Sequence, residues 1–470
     1  MKEESLLLLS DLQKLINQVV LIDYTIIILG GAYMKPKHIK KLLMSEIETV
    51  ANASDKYCSN PGRDFSRKRK LSFKKVVESI IGMGSKGLTN ELIDIFDNEP
   101  DMPTTSAFVQ QRSKIKPEAF KDIMAGFTEK ITRQSIQLRL LAVDGSDIQI
   151  ATNPDDEDTY FQGANGQKPY SLIHLNALYD LEQHIYVDSR IQGRMSWNEH
   201  KALQEMVDKS NIQKALVIAD RGYESYNNMA HIQEKGWFFL MRVKDGKTGI
   251  KGGLLLPEED KFDIDICLKL VRKQTKLIKE LLKDRNKYRV ISHSTSFDYL
   301  PEKTRKADPA TFYELKFRIV RFEIGNGRYE TVLTNLDKDD YPTAELKRLY
   351  AARWGIETSF RDLKYTLGML DFHSKKVMFI HQEIYAHLIM YNFSEMITSH
   401  VVIAKKQRKH TYKANFSVAV HMCRRFFYER TSPPDLETII ARNLIPVRPE
   451  RHRTRNLTVK AFHGFLYRVA

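Results

Sequence analysis

Two short apolar runs in the sequence each end in an aspartate. Leu138 to Val143 leads into Asp144-Gly145, and Ala215 to Ala219 leads into Asp220-Arg221-Gly222-Tyr223. Side chains at strand ends emerge where rigid scaffolding meets solvent. Two carboxylates held there on neighbouring strands can share hard divalent cations such as Mg²⁺, which demand oxygen ligands. Either aspartate alone is weak evidence, because an Asp before Gly more often closes a turn. A later stretch adds to them: Tyr350-Ala-Ala-Arg353-Trp354-Gly-Ile-Glu357-Thr-Ser-Phe360-Arg361-Asp-Leu-Lys364. At about 100° per residue, Tyr350, Arg353, Glu357 and Lys364 fall within roughly 60° of one another on an α-helix. That face carries an aromatic hydroxyl, two cations and one carboxylate. Glu357 can be a third metal ligand, with Arg353 and Lys364 flanking it to hold phosphates. From spacing alone, a solvated face with ordinary pairs such as Glu357–Arg361 is an equal reading.

The elements that must position these residues can be read coarsely. Leu138–Val143, Leu172–Leu178 and His184–Ser189 have the pattern of a strand meander, and Ala215–Ala219 that of a buried strand. A helical stretch to Gly236 and a strand from Trp237 to Val243 follow, the order of a mixed α/β sheet. Tyr313, Leu315, Phe317 and Ile319 alternate with Glu314, Lys316 and Arg318, a period-two signal. Gly325-Asn326-Gly327 then turns the chain into a return strand, Tyr329 to Leu333. Lys269 to Lys287 is a very basic stretch with helical character, and a long helix is expected from Thr343 to about Leu370. Upstream, residues 34 to about 125 read as two or three short helices. Phe73–Phe96 is broken by Gly82, Gly84 and Gly87, Thr104-Thr105-Ser106 caps one helix, and Lys116-Pro117-Glu118 starts the next. The tail from Ala404 reads as helical and basic, with Lys405, Lys406, Arg408 and Lys409, then Arg448, Arg451, Arg453 and Arg455.

The chain has 470 residues, 42 % of them hydrophobic, enough for two to four domains with their own cores. A net charge of +15 points to a polyanionic partner, of which nucleic acid is the commonest. The run Val19–Ala32 contains Asp23 and is shorter than the ~20 apolar residues a spanning helix needs. With Glu3 and Glu4 ahead of it, it is also a poor signal peptide, so a core helix or strand is expected. Met34 is an alternative translation start. Cys58, Cys267 and Cys423 form no CxxC pair, so neither a zinc finger nor a disulfide framework is supported, and a reducing cytoplasm is the natural setting.

Together, Val143-Asp144-Gly145, Asp220-Arg221-Gly222-Tyr223 and the helix pattern Y-x2-R-x3-E-x6-K resemble the DDE transposases of insertion-sequence family four. The helix pattern is that family's signature, matched at every defined position, and the resemblance covers roughly residues 62 to 400. It implies an α/β, ribonuclease H-like catalytic core interrupted by a β-rich insertion. Helical N-terminal DNA-binding and C-terminal regions flank that core. On this reading residues 1–33 are an extension without a counterpart, 34–130 a helical DNA-binding domain and 131–245 the first part of the core. Residues 246–340 are the insertion, 341–395 the rest of the core, and 396–470 a basic helical C-terminal region.

The resemblance further implies that Asp144, Asp220 and Glu357 are the catalytic metal ligands, for Mg²⁺ with Mn²⁺ as substitute. Tyr350, Arg353 and Lys364 contact phosphates near the cleaved end, and Arg221, Arg242 and Arg361 are further phosphate contacts. Cleavage at the element ends, with joining of the 3′ ends to target DNA, is the expected activity; a hairpin step occurs in some members. The partners are terminal inverted repeats, target DNA and a second copy of the chain in a synaptic complex. No membrane is involved, and the setting is a bacterial cytoplasm beside the nucleoid. Recognition of the terminal repeat is expected from the segment Arg63 to Lys130, which holds the basic run Arg63, Arg67, Lys68, Arg69 and Lys70. Trp354 and Trp237 can stack on a base, although core packing is the better expectation for both. Two other classes compete: a DNA-binding protein without catalysis, and a metal-dependent nuclease that cuts but does not join. The intact acids argue against the first, and the Tyr-Arg-Glu-Lys face against the second.

Overall fold

The computed structural model describes residues 34–132, 138–163, 166, 168–244, 249–272, 274–300, 311–325, 327–401 and 411–447. The run Val19–Ala32, Asn326, and the basic residues Lys405, Lys406, Arg408, Lys409, Arg448, Arg451, Arg453 and Arg455 lie outside them. The described chain begins with six helices: α1 (Pro36–Asn52), α2 (Ser54–Tyr57), α3 (Phe73–Gly82), α4 (Leu88–Ile95), α5 (Thr105–Arg112) and α6 (Glu118–Ile131). Local chemistry sets their ends. Ser72 and Thr104 accept N–H bonds from Lys75 and Ala107 at the starts of α3 and α5, and Met83, Gly84 and Gly87 fall in the gap between α3 and α4. Six helices stand where two or three are expected, because α2, α4 and α5, of 4, 8 and 8 residues, are too brief to show a clear period.

The strands follow as β1 (Arg139–Ile150), β2 (Tyr160–Phe161), β3 (Tyr170–Asp180) and β4 (Ile185–Gln192). Next come α7 (Glu199–Lys209), β5 (Ala215–Ala219), α8 (Tyr226–Glu234) and β6 (Phe238–Arg242). The central strands of the sheet run β4-β3-β1-β5-β6. β1, β5 and β6 are parallel, and β3 is antiparallel to both β1 and β4.

The next segment holds β7 (Phe262–Val271), α9 (Lys276–Leu281), β8 (Tyr288–Val290), β9 (Tyr313–Gly325) and β10 (Arg328–Thr334). These strands do not form a separate sheet. β10 pairs with β6, and β9, β7 and β8 continue outward, making ten strands in one sheet. Lys269–Lys287 is not one helix: Lys269 belongs to β7, whose pairing with β9 outweighs the helical composition, and only α9 is helical there.

Last come α10 (Thr343–Ala352), α11 (Trp354–Tyr365), α12 (Val377–Ser399), β11 (Thr411–Ala414), α13 (Phe416–Phe427), α14 (Pro433–Arg442) and β12 (Leu444–Val447). The long helix expected from Thr343 is thus two, tightened at Arg353, where Arg353 N–H reaches Tyr350 O and Ile356 N–H reaches Arg353 O. The tail is not purely helical either, since β11 and β12 pair as a small antiparallel sheet.

Two cores cover the sheet. α7 and α8 pack on one face with Leu141, Val143, Val217 and Phe239, whereas α11, α12 and the N-terminal helices pack on the other with Ala142, Ile148 and Ile218. α12 is the hub of the second core: from Phe379 to Ile397 every residue except His381 and Glu395 is buried. Three of its polar side chains tie it to neighbouring elements. Glu383 pairs with Arg112 of α5 at 2.8 Å, and Gln382 accepts Arg112 Nε at 2.8 Å. Asn392 takes both backbone groups of Tyr186 in β4 and donates to Thr128 of α6. Although α12 is long and apolar, no helix among the described residues is long and apolar enough to cross a membrane.

Candidate active site

The sheet register brings the two aspartates together. Val143 of β1 stands opposite Ala219 of β5 in a parallel ladder, so the next residues, Asp144 and Asp220, are side by side. β5 ends at Ala219, while β1 runs on to Ile150 because β3 still pairs with it. Asp144 therefore lies within a strand rather than at its end, but beside the gap that β5 leaves. Each aspartate is fixed by a backbone donor: Gly145 N–H to Asp144 Oδ1 at 2.9 Å, and Arg221 N–H to Asp220 Oδ1 at 2.7 Å.

The α10–α11 pair supplies the rest. Arg353, 5 % exposed, directs Nη2 to Glu357 Oε1 at 2.8 Å and Nη1 toward Asp144 Oδ2 at 3.8 Å. Tyr350, also buried, donates its hydroxyl to Asp220 Oδ1 at 3.4 Å. Two carboxylates thus flank one guanidinium, and Tyr350 holds the third, Asp220, from the same helix pair. Burial, opposed by Arg353 and the Gly145 N–H, pushes the Asp144 carboxyl up to about 6, and Glu357 and Asp220 add to the rise. Burial alone draws Arg353 down, but Tyr350, Glu357, Asp144 and Asp220 outweigh it and hold it firmly cationic. Among the described residues no three His, Cys, Asp or Glu side chains already close on a common ion position. The donor set nonetheless suits a hard cation. It is all carboxylate, mutually repelling, and depends on added positive charge.

The other expected residues are distributed unevenly. Glu357 pairs with Arg353 and not with Arg361, which is exposed. Lys364 donates to Asp147 O at 2.9 Å on β1. Arg221 is exposed beside Asp220, whereas Arg242 is half-buried against Glu330 at 3.2 Å. Trp237 is in the core, its Nε1 donating to Ile212 O, and Trp354 lies under the Arg353 guanidinium, 5.4 Å from it. Arg63, Arg67, Lys68 and Arg69 are all exposed, and Lys70 is engaged by Glu99 and Asp101.

A second polar cluster escapes sequence reasoning. His174 faces Asp147 across the β1–β3 ladder and holds it at 2.7 Å, with Glu199 of α7 at 3.0 Å on its other nitrogen. Burial works against a charged ring, but the two acids outweigh it and raise His174 to about 9. A Cβ on Gly145 would come 2.3 Å from His174 Nε2, so this glycine is required by packing and not by a turn. The available signal was a histidine inside the apolar run Leu172–Leu178; its partners depend on register. Tyr223 Oη and Arg353 Nε are buried with no hydrogen-bond partner, leaving two donors beside the acids.

Comparison with known proteins gives the same direction. The Transposase DDE domain family matches residues 136–393. The chain is 21 % identical over 343 residues to the transposase InsG for insertion sequence element IS4 of Escherichia coli (strain K12), covering 69 % of this chain and 70 % of that protein. Among solved structures it is similar to the piggyBac transposase synaptic complex with hairpin DNA, with a TM-score of 0.44 and 12 % identity, covering 87 % of this chain and 85 % of that one. With the family match spanning more than half of its length, and the IS4 likeness agreeing with the signature helix, the chain belongs to the transposase DDE domain family and is a DNA transposase.

Proposed function

We propose that this transposase cleaves DNA at the ends of its own element and joins the freed 3′ ends to target DNA, with Asp144, Asp220 and Glu357 as catalytic residues. The observation that carries this reading is the convergence of those three carboxylates on one pair of buried side chains, Asp144 and Glu357 on Arg353 and Asp220 on Tyr350, from β1, α11 and the end of β5. The order β4-β3-β1-β5-β6, with α7 and α8 linking the parallel strands, supports a ribonuclease H-like core around them. In the proposed division, residues 131–245 and 341–395 make that core and 246–340 are an insertion that extends its sheet. Residues 34–130 bind DNA, helped by the basic C-terminal region.

The three carboxylates would hold Mg²⁺, or Mn²⁺ in its place. When bound, the metal supplies Lewis-acid activation of the phosphodiester and of the attacking hydroxyl. The chain's own groups do the rest. Arg353 keeps Glu357 and Asp144 drawn together and offers its free Nε–H to a phosphate oxygen. Tyr350 fixes the rotamer of Asp220 and closes the floor of the site. Lys364, Arg221 and Arg361 line the approach and take backbone phosphates, which positions the duplex without reading its sequence. Arg242 is a weaker candidate because Glu330 already engages it. No protein nucleophile is needed, since water or a DNA 3′-hydroxyl attacks. A homodimer pairing two element ends completes the proposal.

A cleavage and joining assay on DNA carrying the sequences that flank the gene tests it, with Asp220→Ala as control. Metal-dependent release of 3′ ends, lost in the control, supports the reading. Binding without cutting in Mg²⁺ or Mn²⁺ overturns it in favour of a DNA-binding protein without catalysis.

A further inference from the structure

We propose that Tyr223 is a catalytic residue whose hydroxyl donates a hydrogen bond to a non-bridging oxygen of the scissile phosphate. The inference rests on the transposase reading and adds to it a substrate contact from the side of the sheet opposite Arg353. Tyr223 is 2 % exposed, and its Oη is buried with no hydrogen-bond partner among the described residues. A buried hydroxyl left unpaired destabilises a fold, so each one in a native protein calls for a physical reason.

The turn that carries the ring is fixed. Tyr223 N–H donates to Asp220 O at 3.0 Å, and Tyr223 O accepts Asn228 Nδ2 at 2.9 Å. Asn228 is itself tied to α7: its Oδ1 accepts Gln204 Nε2 at 2.7 Å, and its Nδ2 lies 2.7 Å from His200 Nδ1. The His200 ring meets the Tyr223 ring edge-on, with centroids 6.4 Å apart. The phenol belongs to the core between the sheet and α7 and α8, so it has no room to swing toward another partner. A donor held in this way needs no reorganisation when charge develops in front of it.

Position and charge select the acceptor. Burial first, then Glu199 and Asp144, raise the phenol well above its ordinary 10; Arg353 works against them and Asp220 adds to the rise. The hydroxyl therefore stays protonated and can only donate usefully among these anions, yet none of them lies within hydrogen-bond reach of it. An oxygen that enters between Tyr223 and the acids meets this need, and the DNA phosphate brings one whose negative charge is spread over the phosphoryl group in the transition state. Arg353 Nε, also buried and unpartnered, comes from α10 and α11 on the face that holds Ala142 and Ile218. Tyr223 comes from the face that holds Val143 and Val217. The two donors bracket Asp144 and Asp220 from opposite sides and clasp the two non-bridging oxygens of one phosphate. Tyr223 keeps its proton throughout, and no bond to it forms or breaks.

Full-length Tyr223→Phe, set against the wild type on element-end duplexes in Mg²⁺, tests this. Loss of the hydroxyl slows cleavage roughly 100-fold while end-binding affinity stays the same. The variant melts no lower than the wild type in chelator, because phenylalanine leaves no unpaired donor in the core. A residue that merely supports the fold would lose stability and activity together. Phosphorothioates at the scissile phosphate locate the contact. Sulfur at one non-bridging position slows the wild type, is not rescued by Mn²⁺, and has no further effect on Tyr223→Phe. Unchanged cleavage by the variant, a lower melting point, or sulfur effects of equal size in both proteins overturn the proposal while leaving the transposase reading intact. Failure of the wild type to cut the ends in Mg²⁺ overturns both.

Discussion

Asp144→Asn should make the metal-free protein more stable at neutral pH, not less. Asp144 titrates near 6 against an ordinary 3.8. Each tenfold change in proton affinity is about 1.4 kcal/mol, so keeping this carboxylate charged in the fold costs about 3 kcal/mol. The sign follows from the raised value. Below about pH 4 the group is protonated in both states and no penalty exists. The penalty grows as pH rises from 4 to 6 and is complete above 6. Asparagine removes it, but about a quarter of the side chain is exposed and the 3.8 Å contact with Arg353 is weakened, which together reduce the gain. A net stabilisation of about 1–2 kcal/mol remains at pH 8, a melting shift of about 1–2 degrees in a chain of this size. Thermal melts of both proteins in chelator, from pH 4 to 8, measure it. A variant that melts below the wild type at pH 8, or a difference that does not shrink toward pH 4, refutes the reasoning. Adding Mg²⁺ should raise the wild-type melting point more than the variant's, because only the wild type has the full set of acids to bind it.

Glu357→Gln should abolish cleavage while end-binding persists, since the amide keeps the helix but loses a carboxylate; retained cutting in a gel assay removes Glu357 from the catalytic set. Lys364→Ala should weaken end-binding and lower the slope of log affinity against log salt by about 0.9, the signature of one lost phosphate contact. An unchanged slope counts against that role. Arg112→Met strips the buried Glu383 of its guanidinium and leaves only His373 against it, so a loss of about 3 kcal/mol is expected in denaturant titration. Burial works against the Glu383 charge, but Arg112 and His373 outweigh it and hold the carboxyl down at about 2. The stability it contributes is therefore present above about pH 4.5 and fades as pH falls toward 2, which acid titration of the wild type checks.

Much of the site is legible in the residues because it depends on local pattern. Ala215–Ala219 reads as a buried strand and is β5 residue for residue, since an unbroken apolar run bounded by polar residues has few other homes. Tyr350, Arg353 and Glu357 share a helical face in the sequence, and the slight tightening at Arg353 does not disturb it. What sequence could not supply is pairing. The period-two run in β9 predicts a strand, but not that β10 would join β6 and extend the same sheet. Asp147 and His174 look unrelated until the β1–β3 register sets them opposite each other. Arg353 looks like a surface phosphate contact; that it is buried among the acids depends on how α10 and α11 pack over the strand ends.

The burial of α12 on every side has a mechanical consequence. α5 is tied to it through Arg112, α6 and β4 through Asn392, and α13 through packing. The exposed basic run before α3 and the proposed catalytic aspartates therefore belong to one rigid gauge. If the basic run binds the element end as proposed, the distance from the bound sequence to the cut is a property of the protein and not of the DNA. Lengthening that spacer by about five base pairs turns the cleavage point to the far side of the duplex and should silence cutting; a full turn of about 10.5 restores the facing but not the reach.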